Sequence, residues 1–174
     1  MEWRKACRVA ARRTDAQGRV ALGLGKTGPP LILYLDTSAL VKLYVRETGT
    51  AVMQAHASNA EALATSVVAY AETRAAFARL KHSGLSSEAK HQQRLRQLDH
   101  DWDALLKVEL APDVLRSAGD LAEIYGLRGF DAIHLASALW LKARVSAAVD
   151  FAVFDRRLAA AADKAGLTVV TTPP

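Results

Sequence analysis

The stretch LILYLDTSALVKLY, residues Leu31–Tyr44, decides the fold of this chain. Four of its first five residues are aliphatic, which predicts a short buried β-strand that ends at Asp36. Apolar side chains then recur at helical spacing, so a helix should follow at once. A strand that runs directly into a helix through a carboxylate places that carboxylate at the carboxyl end of the strand, where ligands of open α/β sheets bind. Asp36 is therefore the first candidate functional residue.

The rest of the chain alternates between predicted strands and helices. Four further strands are predicted at residues 62–65, 105–110, 145–153 and 167–171, with helices in the stretches between them. Such alternation is typical of an α/β domain with a mostly parallel five-stranded sheet and helices on both faces, which is a three-layer fold. Residues 31–174 are predicted to form this single domain.

Composition limits the class of protein. The chain has 174 residues and 51% hydrophobic content, which is enough for one domain with a substantial core. Its single cysteine, Cys7, excludes an internal disulfide and a cysteine-built zinc site. No apolar run has the length of a membrane span, and the first thirty residues lack the apolar centre of a secretory signal. We expect a soluble, cytoplasmic protein without a membrane partner.

The net charge of +5 is confined to residues 1–30, because residues 31–174 carry equal numbers of basic and acidic residues. The basic overall composition is therefore no evidence that the domain itself binds nucleic acid. Residues 1–30 end in Gly28, Pro29 and Pro30, and we expect them to form a flexible basic extension that attracts phosphate or binds a small partner. The alternative is a mis-assigned start, with translation beginning near Leu31.

Four acidic residues fall where such a fold would bring them together. Asp36 and Asp155 follow predicted strands, Asp131 stands at a helix start, and Glu72 lies on or near the apolar stripe of the third helix. Because parallel strands end at one edge of a sheet, these side chains should converge there. A glutamate that faces inward also needs a partner.

Clustered carboxylates point to a metal site. Neighbouring carboxylates raise each other's pKa unless a cation compensates, and Mg²⁺ or Mn²⁺ prefers oxygen ligands. Such a cluster can position and deprotonate a water molecule for in-line attack on a phosphodiester, with one ion or two. The chain offers no convincing nucleophilic serine or cysteine constellation, which agrees with this chemistry.

Each acid also has a structural alternative. Asp36, Asp131 and Asp155 could each cap a helix, and Glu72 could be solvated or could pair with a neighbouring arginine.

Several further residues have weaker assignments. Asp150 is an additional acid near the fourth strand, and Lys42 and Arg46 are candidate phosphate contacts. His134 lies between apolar residues, which favours a core histidine with local hydrogen bonds over a catalytic base.

Four segments resemble a known family, the PIN-domain ribonucleases, and specifically VapC-like toxins of type II toxin–antitoxin systems. They are LILYLDTSALVKLY, AYAETRAAFARL, FDAIHLASAL and FDRRLAAAADKAGL, and the resemblance covers residues 31–174. It implies a PIN-like fold, a Mg²⁺-dependent endoribonuclease in which Mn²⁺ can substitute, a homodimer, and a small cognate antitoxin.

The resemblance also assigns positions. By matching position, the metal-binding and catalytic acids are Asp36, Glu72 and Asp131, with Asp155 as the fourth. Ser38 matches a polar position beside the first acid, where it could orient that acid or a metal-bound water.

One departure from the family pattern leaves an alternative function open. The family often has Thr or Ser two residues before the last aspartate, and this chain has Val153 there, which weakens the assignment of Asp155. A catalytically degenerate PIN domain that acts as an RNA- or protein-binding module is therefore the alternative. A phosphatase with Asp36 as nucleophile is disfavoured, because that pattern needs a second aspartate where Ser38 stands.

Overall fold

The predicted alternation of strands and helices is present in the computed structural model of the chain, which describes residues 30–171. The predicted basic extension, residues 1–30, lies outside the described residues except for Pro30. In the described range, none of the helices combines the length and apolar character needed to cross a membrane.

The centre of the molecule is a five-stranded parallel sheet in the order β3-β2-β1-β4-β5. Its strands are β1 (Leu31–Leu35), β2 (Ala62–Ser66), β3 (Leu106–Val108), β4 (Ala148–Ala152) and β5 (Thr168–Val170). The strand from the fold-deciding stretch, β1, is the middle one, and Leu33 pairs with Leu63 on one side and Asp150 on the other. All five carboxyl ends therefore lie at the same edge of the sheet.

Seven helices connect and cover these strands within residues 30–171. They are α1 (Thr37–Val41), α2 (Thr50–Asn59), α3 (Val68–His82), α4 (Glu88–Trp102), α5 (Pro112–Tyr125), α6 (Gly129–Lys142) and α7 (Arg156–Lys164).

The period-two alternation of β1 divides the core into two layers. Ile32 and Tyr34 face one layer, where they pack with side chains of α5, α6 and α7. Leu33 and Leu35 face the other layer, where they pack with α1, α2 and α3. Helix α4 packs behind α3 through a third cluster that includes Leu98. The three-layer α/β fold expected from the sequence is thus confirmed.

Three strands are shorter than the runs that predicted them. The predicted strand at 105–110 spans only Leu106–Val108, and the predicted strand at 145–153 spans only Ala148–Ala152. The predicted strand at 167–171 spans only Thr168–Val170. Leu105 is buried and Val145 packs against the core, although neither lies in a strand. Apolar residues that flank a strand are therefore also packed against the core, so the length of an apolar run overestimates the length of the strand.

Candidate active site

The carboxyl edge of the sheet forms a cleft of about 390 Å³ that all four predicted acids line. Asp36 follows β1, Asp155 follows β4, Glu72 comes from α3 and Asp131 from the first turn of α6. Strands β1 and β4 are neighbours, and Leu35 pairs with Ala152, so the two strand exits lie side by side. Ser38 also lines this cleft, so the structure brings the four predicted acids and Ser38 together.

Asp36 is the most buried of the four acids, with 5% of its surface exposed. Its side chain is the N-cap of α1 and accepts a hydrogen bond of 2.7 Å from the backbone N–H of Ala39. Burial raises the pKa of Asp36, although the nearby imidazole of His134 and the hydrogen bonds from Ala39 and Ser38 oppose that rise. Helix capping and a place in the cleft are compatible roles for this residue.

Ser38 connects Asp36 to the segment that carries Asp155. Its hydroxyl lies 2.8 Å from Oδ1 and 2.9 Å from Oδ2 of Asp36, to which it donates. The same oxygen accepts a hydrogen bond of 2.9 Å from the backbone N–H of Phe154, in the loop after β4. Ser38 therefore holds the carboxylate of Asp36 in one orientation and ties two adjacent loops of the cleft together.

Glu72 has the partners that an inward-facing glutamate requires. One of its carboxylate oxygens, Oε2, accepts a hydrogen bond of 2.6 Å from the hydroxyl of Thr37 and lies 3.0 Å from Nε2 of His134. Partial burial acts to raise the pKa of Glu72, but the hydrogen bonds from His134 and Thr37 outweigh it and the pKa is lowered. The carboxylate is therefore held in its ionised form.

Asp131 and Asp155 form the more open side of the cleft. The pKa of Asp131 is raised by partial burial and by the negative charge of Asp155, while Arg128 acts in the opposite direction. Asp131 does not cap α6, because Arg128 occupies the N-cap position. Asp155 is exposed and is the N-cap of α7, with a hydrogen bond of 2.9 Å from the backbone N–H of Leu158.

Asp150 does not line the cleft, although it is an acid of β4. It lies within the strand, in register with Leu33 and Thr168, and burial raises its pKa while His56 opposes that rise. It belongs to the sheet and not to the cleft.

The chemistry of the donor set fits a hard divalent cation. Four carboxylates and the Ser38 hydroxyl line one cleft, and oxygen atoms are the ligands that Mg²⁺ prefers. Within residues 30–171, however, no three acidic, histidine or cysteine side chains are already grouped as a site that could hold an ion. Binding would therefore require side-chain rotation that draws the carboxylates together.

Three basic side chains, Lys42, Arg79 and Arg128, also line the cleft. Lys42 was predicted as a phosphate contact, but it is largely buried and pairs with Glu47 at 2.6 Å. Arg46, the other predicted contact, is exposed and is not a lining residue.

The positions of Arg79 and Arg128 at the cleft were not predicted. Arg79 follows Glu72 by about two helical turns, and Arg128 precedes Asp131 by three residues, so helical spacing would have found both.

His134 is a core histidine as predicted, but its hydrogen bonds are not local. It is 2% exposed and contacts Tyr34, Thr37 and Glu72, which lie on three other elements of the chain. Sequence reasoning missed this set, because the apolar neighbours of His134 suggested only burial.

Comparison with known proteins identifies the family of the chain. Residues 33–164 match the model of the PIN domain family. The chain is 39% identical over 138 residues to Ribonuclease VapC45 of Mycobacterium tuberculosis strain CDC 1551, an alignment that covers 79% of this chain and 94% of that protein. Ribonuclease VapC49 of Mycobacterium tuberculosis strain H37Rv matches to the same extent, with 39% identity over 138 residues and the same coverage.

Solved structures share the fold at low sequence identity. FitAcB from Neisseria gonorrhoeae superposes with a TM-score of 0.60 at 17% identity, over 79% of this chain and 95% of that one. A toxin-antitoxin complex from Klebsiella pneumoniae gives a TM-score of 0.56 at 19% identity, over 80% of this chain and 96% of that one. With the family model spanning most of the described domain and curated relatives well above 30% identity, this chain belongs to the PIN domain family.

Proposed function

We propose that this protein is a Mg²⁺-dependent endoribonuclease and the toxin of a toxin–antitoxin pair. The observation that carries the proposal is the presence of Asp36, Glu72 and Asp131, from three separate segments, around one cleft at the carboxyl edge of the sheet. Relatives that are named ribonucleases support RNA as the substrate.

The residues of the cleft have distinct tasks in this reaction. Asp36, Glu72, Asp131 and Asp155 would hold the cation, Mg²⁺ or Mn²⁺ in its place, with Ser38 orienting Asp36. When bound, such an ion lowers the pKa of a coordinated water and stabilises charge on the scissile phosphate.

The basic residues of the cleft would contact RNA. Arg79 and Arg128 are exposed at the cleft and would pair with backbone phosphates. Lys42 is held by Glu47 and by the carbonyl oxygen of Thr48, at 2.9 Å, so it would contribute mainly to the shape of the cleft wall.

The partners follow from the relatives. A structure with the same fold is a toxin-antitoxin complex from Klebsiella pneumoniae. Together with the VapC relatives, it supports the proposal that this chain binds a small cognate antitoxin. We also propose that the protein is a homodimer and acts in the cytoplasm.

Cleavage assays with a metal chelator test the proposal. Purified protein is incubated with structured RNAs and Mg²⁺, with and without EDTA, beside Asp131→Asn and the matched variant Asp163→Asn. Asp163 is exposed on α7 and does not line the cleft, so that variant controls for the same chemical change. We expect the wild type and Asp163→Asn to cleave, EDTA to abolish cleavage, and Asp131→Asn to reduce it. Equal cleavage under all conditions would identify a contaminating nuclease and remove the support.

A catalytically degenerate PIN domain is the second candidate. Two observations favour it: no three candidate ligands within residues 30–171 are already grouped as a metal site, and Val153 is fully buried and apolar. Titration with Mn²⁺ by calorimetry separates the candidates. The nuclease binds Mn²⁺ and loses that binding in Asp36→Asn, whereas a degenerate module binds RNA with no measurable affinity for Mn²⁺.

A further inference from the structure

A buried histidine, His134, links the hydrophobic core to the carboxylate of Glu72. We propose that Tyr34 and His134 act together as positioning residues, which turn the Glu72 carboxylate so that Oε1 faces the cleft. The inference rests on the proposed function, because it assigns Glu72 the task of binding a cation.

The hydrogen bonds around Glu72 determine which nitrogen of His134 carries a proton. Thr37 donates its one hydroxyl proton to Oε2 of Glu72 at 2.6 Å, so its oxygen can only accept from His134. Nε2 of His134 lies 3.0 Å from that hydroxyl oxygen and 3.0 Å from Oε2 of Glu72, and an ionised carboxylate only accepts. Nε2 therefore carries a hydrogen that both oxygens share.

Tyr34 fixes the other nitrogen. Its hydroxyl lies 3.2 Å from Nδ1 of His134. Because Nε2 carries the one hydrogen of the neutral imidazole, Nδ1 accepts and the phenol donates. The Tyr34 ring is stacked on Phe151 with a centroid distance of 5.5 Å, which holds it in place. The core thus selects one tautomer of His134 and one ring orientation.

These hydrogen bonds determine which carboxylate oxygen of Glu72 faces the cleft. Every hydrogen bond that its carboxylate accepts within residues 30–171 goes to Oε2, which leaves Oε1 available to the cleft. The terminal torsion of a glutamate side chain is otherwise broad, so two donors on one oxygen restrict it strongly. Hydrogen bonds that orient metal-ligating carboxylates in this way affect metal affinity about 10–100-fold.

A purely structural role predicts a different outcome. The imidazole contacts residues of β1, α1 and α3 from its place on α6, so its removal would lower stability in either case. Only a positioning role makes the affinity for a cation depend on the donor at Nε2.

Calorimetric titration with Mn²⁺ of His134 variants tests this dependence. We expect His134→Leu to weaken binding about 10–100-fold. His134→Gln should stay within about threefold of the wild type, because its amide can donate from near the Nε2 position. His91→Leu is the matched control, because His91 is also buried but lies on α4 outside the cleft, and it should bind Mn²⁺ as the wild type does.

Tyr34→Phe tests the second link, with long-range ¹H–¹⁵N NMR of the imidazole in metal-free protein as the readout. The wild type should show only the Nε2–H tautomer of His134, whereas Tyr34→Phe should show a mixture and about threefold to tenfold weaker Mn²⁺ binding. Tyr70→Phe removes a hydroxyl that bonds to Asp99 at 2.7 Å, outside the cleft, and should change neither measurement.

Three results would overturn the inference. One is a folded His134→Leu that binds Mn²⁺ as tightly as the wild type. If His134→Leu does not fold, a Tyr34→Phe that keeps both the Nε2–H tautomer and wild-type affinity is decisive instead. A wild type without affinity for Mn²⁺ would remove the proposed function first, and the inference with it, whereas the first two results leave the proposed function standing.

Discussion

The two sides of the cleft are built differently. On the inner side, Asp36 is held by Ser38 and the backbone of Ala39, and Glu72 is held by donors from other elements of the fold. On the outer side, Asp131 accepts no side-chain hydrogen bond within residues 30–171, and Asp155 accepts only from the backbone of its own helix.

The difference shows which part of the site the fold orients before anything binds. The inner carboxylates are fixed by donors whose own positions are determined by core packing, as in preorganised sites. The outer carboxylates stay adjustable, and the pKa of Asp131 is raised first by partial burial and second by the negative charge of Asp155. We infer that the outer side moves toward the inner side when a cation binds.

The largest expected effect comes from neutralising one acid on each side. Asp36→Asn should lower RNA cleavage at least about a hundredfold, because several kcal/mol of transition-state stabilisation depend on a fully held cation. Asparagine is as good an N-cap as aspartate, so α1 should remain intact. Asp155→Asn should lower cleavage only about tenfold, since its carboxylate is exposed and adjustable. The measurement is the rate of RNA cleavage at saturating Mg²⁺.

Two results limit this interpretation. Circular dichroism should show that both variants are folded, so that the lower cleavage rate is due to the missing carboxylate and not to unfolding. An Asp155→Asn variant as inactive as Asp36→Asn would mean that the two sides are equally important, and the inner–outer distinction would be wrong.

The positions of two acids could be predicted from sequence because each follows a strand that a parallel sheet brings to one edge. Asp36 follows β1 and Asp155 follows β4, and the strand pattern was strong enough to predict all five strands. Glu72 lies inside α3, where only its place on or near the apolar stripe of the helix indicated that it faces inward. The inner donors could not be predicted in the same way. Thr37 and His134 are separated by 97 residues, and their contact depends on the orientation of α6 over the sheet, which no local pattern encodes.

Stability in metal-free buffer distinguishes Asp131 from Glu72 by the sign of the change in melting temperature. The pKa of Asp131 is raised in the fold, so its ionised form destabilises the native state at neutral pH, and Asp131→Asn should raise the melting temperature at pH 7. The pKa of Glu72 is lowered, so its ionised form stabilises the native state, and Glu72→Gln should lower the melting temperature at pH 7. Both carboxylates are partly exposed, and each change should be about 1–3 °C.

The pH dependence of these changes provides the check. The ordinary pKa values of Asp and Glu are about 4, and the two differences should disappear on opposite sides of that value. The difference for Asp131→Asn should shrink as the pH falls through the raised pKa of Asp131 to about 4, whereas the difference for Glu72→Gln should persist to about 4 and shrink only as the pH falls further, through the lowered pKa of Glu72. Circular dichroism monitors thermal unfolding in EDTA at several pH values and gives the melting temperatures of the wild type and both variants. Two variants that shift the melting temperature in the same direction at pH 7 would contradict the conclusion that donors hold Glu72 in its ionised form while Asp131 has no such donors.

The smallest expected effect extends the comparison to the basic residues. Arg128 is an exposed outer residue, whereas Lys42 is buried and already paired with Glu47. If RNA phosphates contact the outer side, Arg128→Gln should raise KM about twofold to fivefold and reduce the salt dependence of kcat/KM by about one unit of slope. Arg96→Gln, an exposed change on α4 outside the cleft, controls for net charge and should alter neither quantity. If Arg128→Gln and Arg96→Gln changed KM and the salt dependence equally, RNA binding would depend only on the net charge of the protein. A phosphate contact at Arg128 requires the two variants to differ.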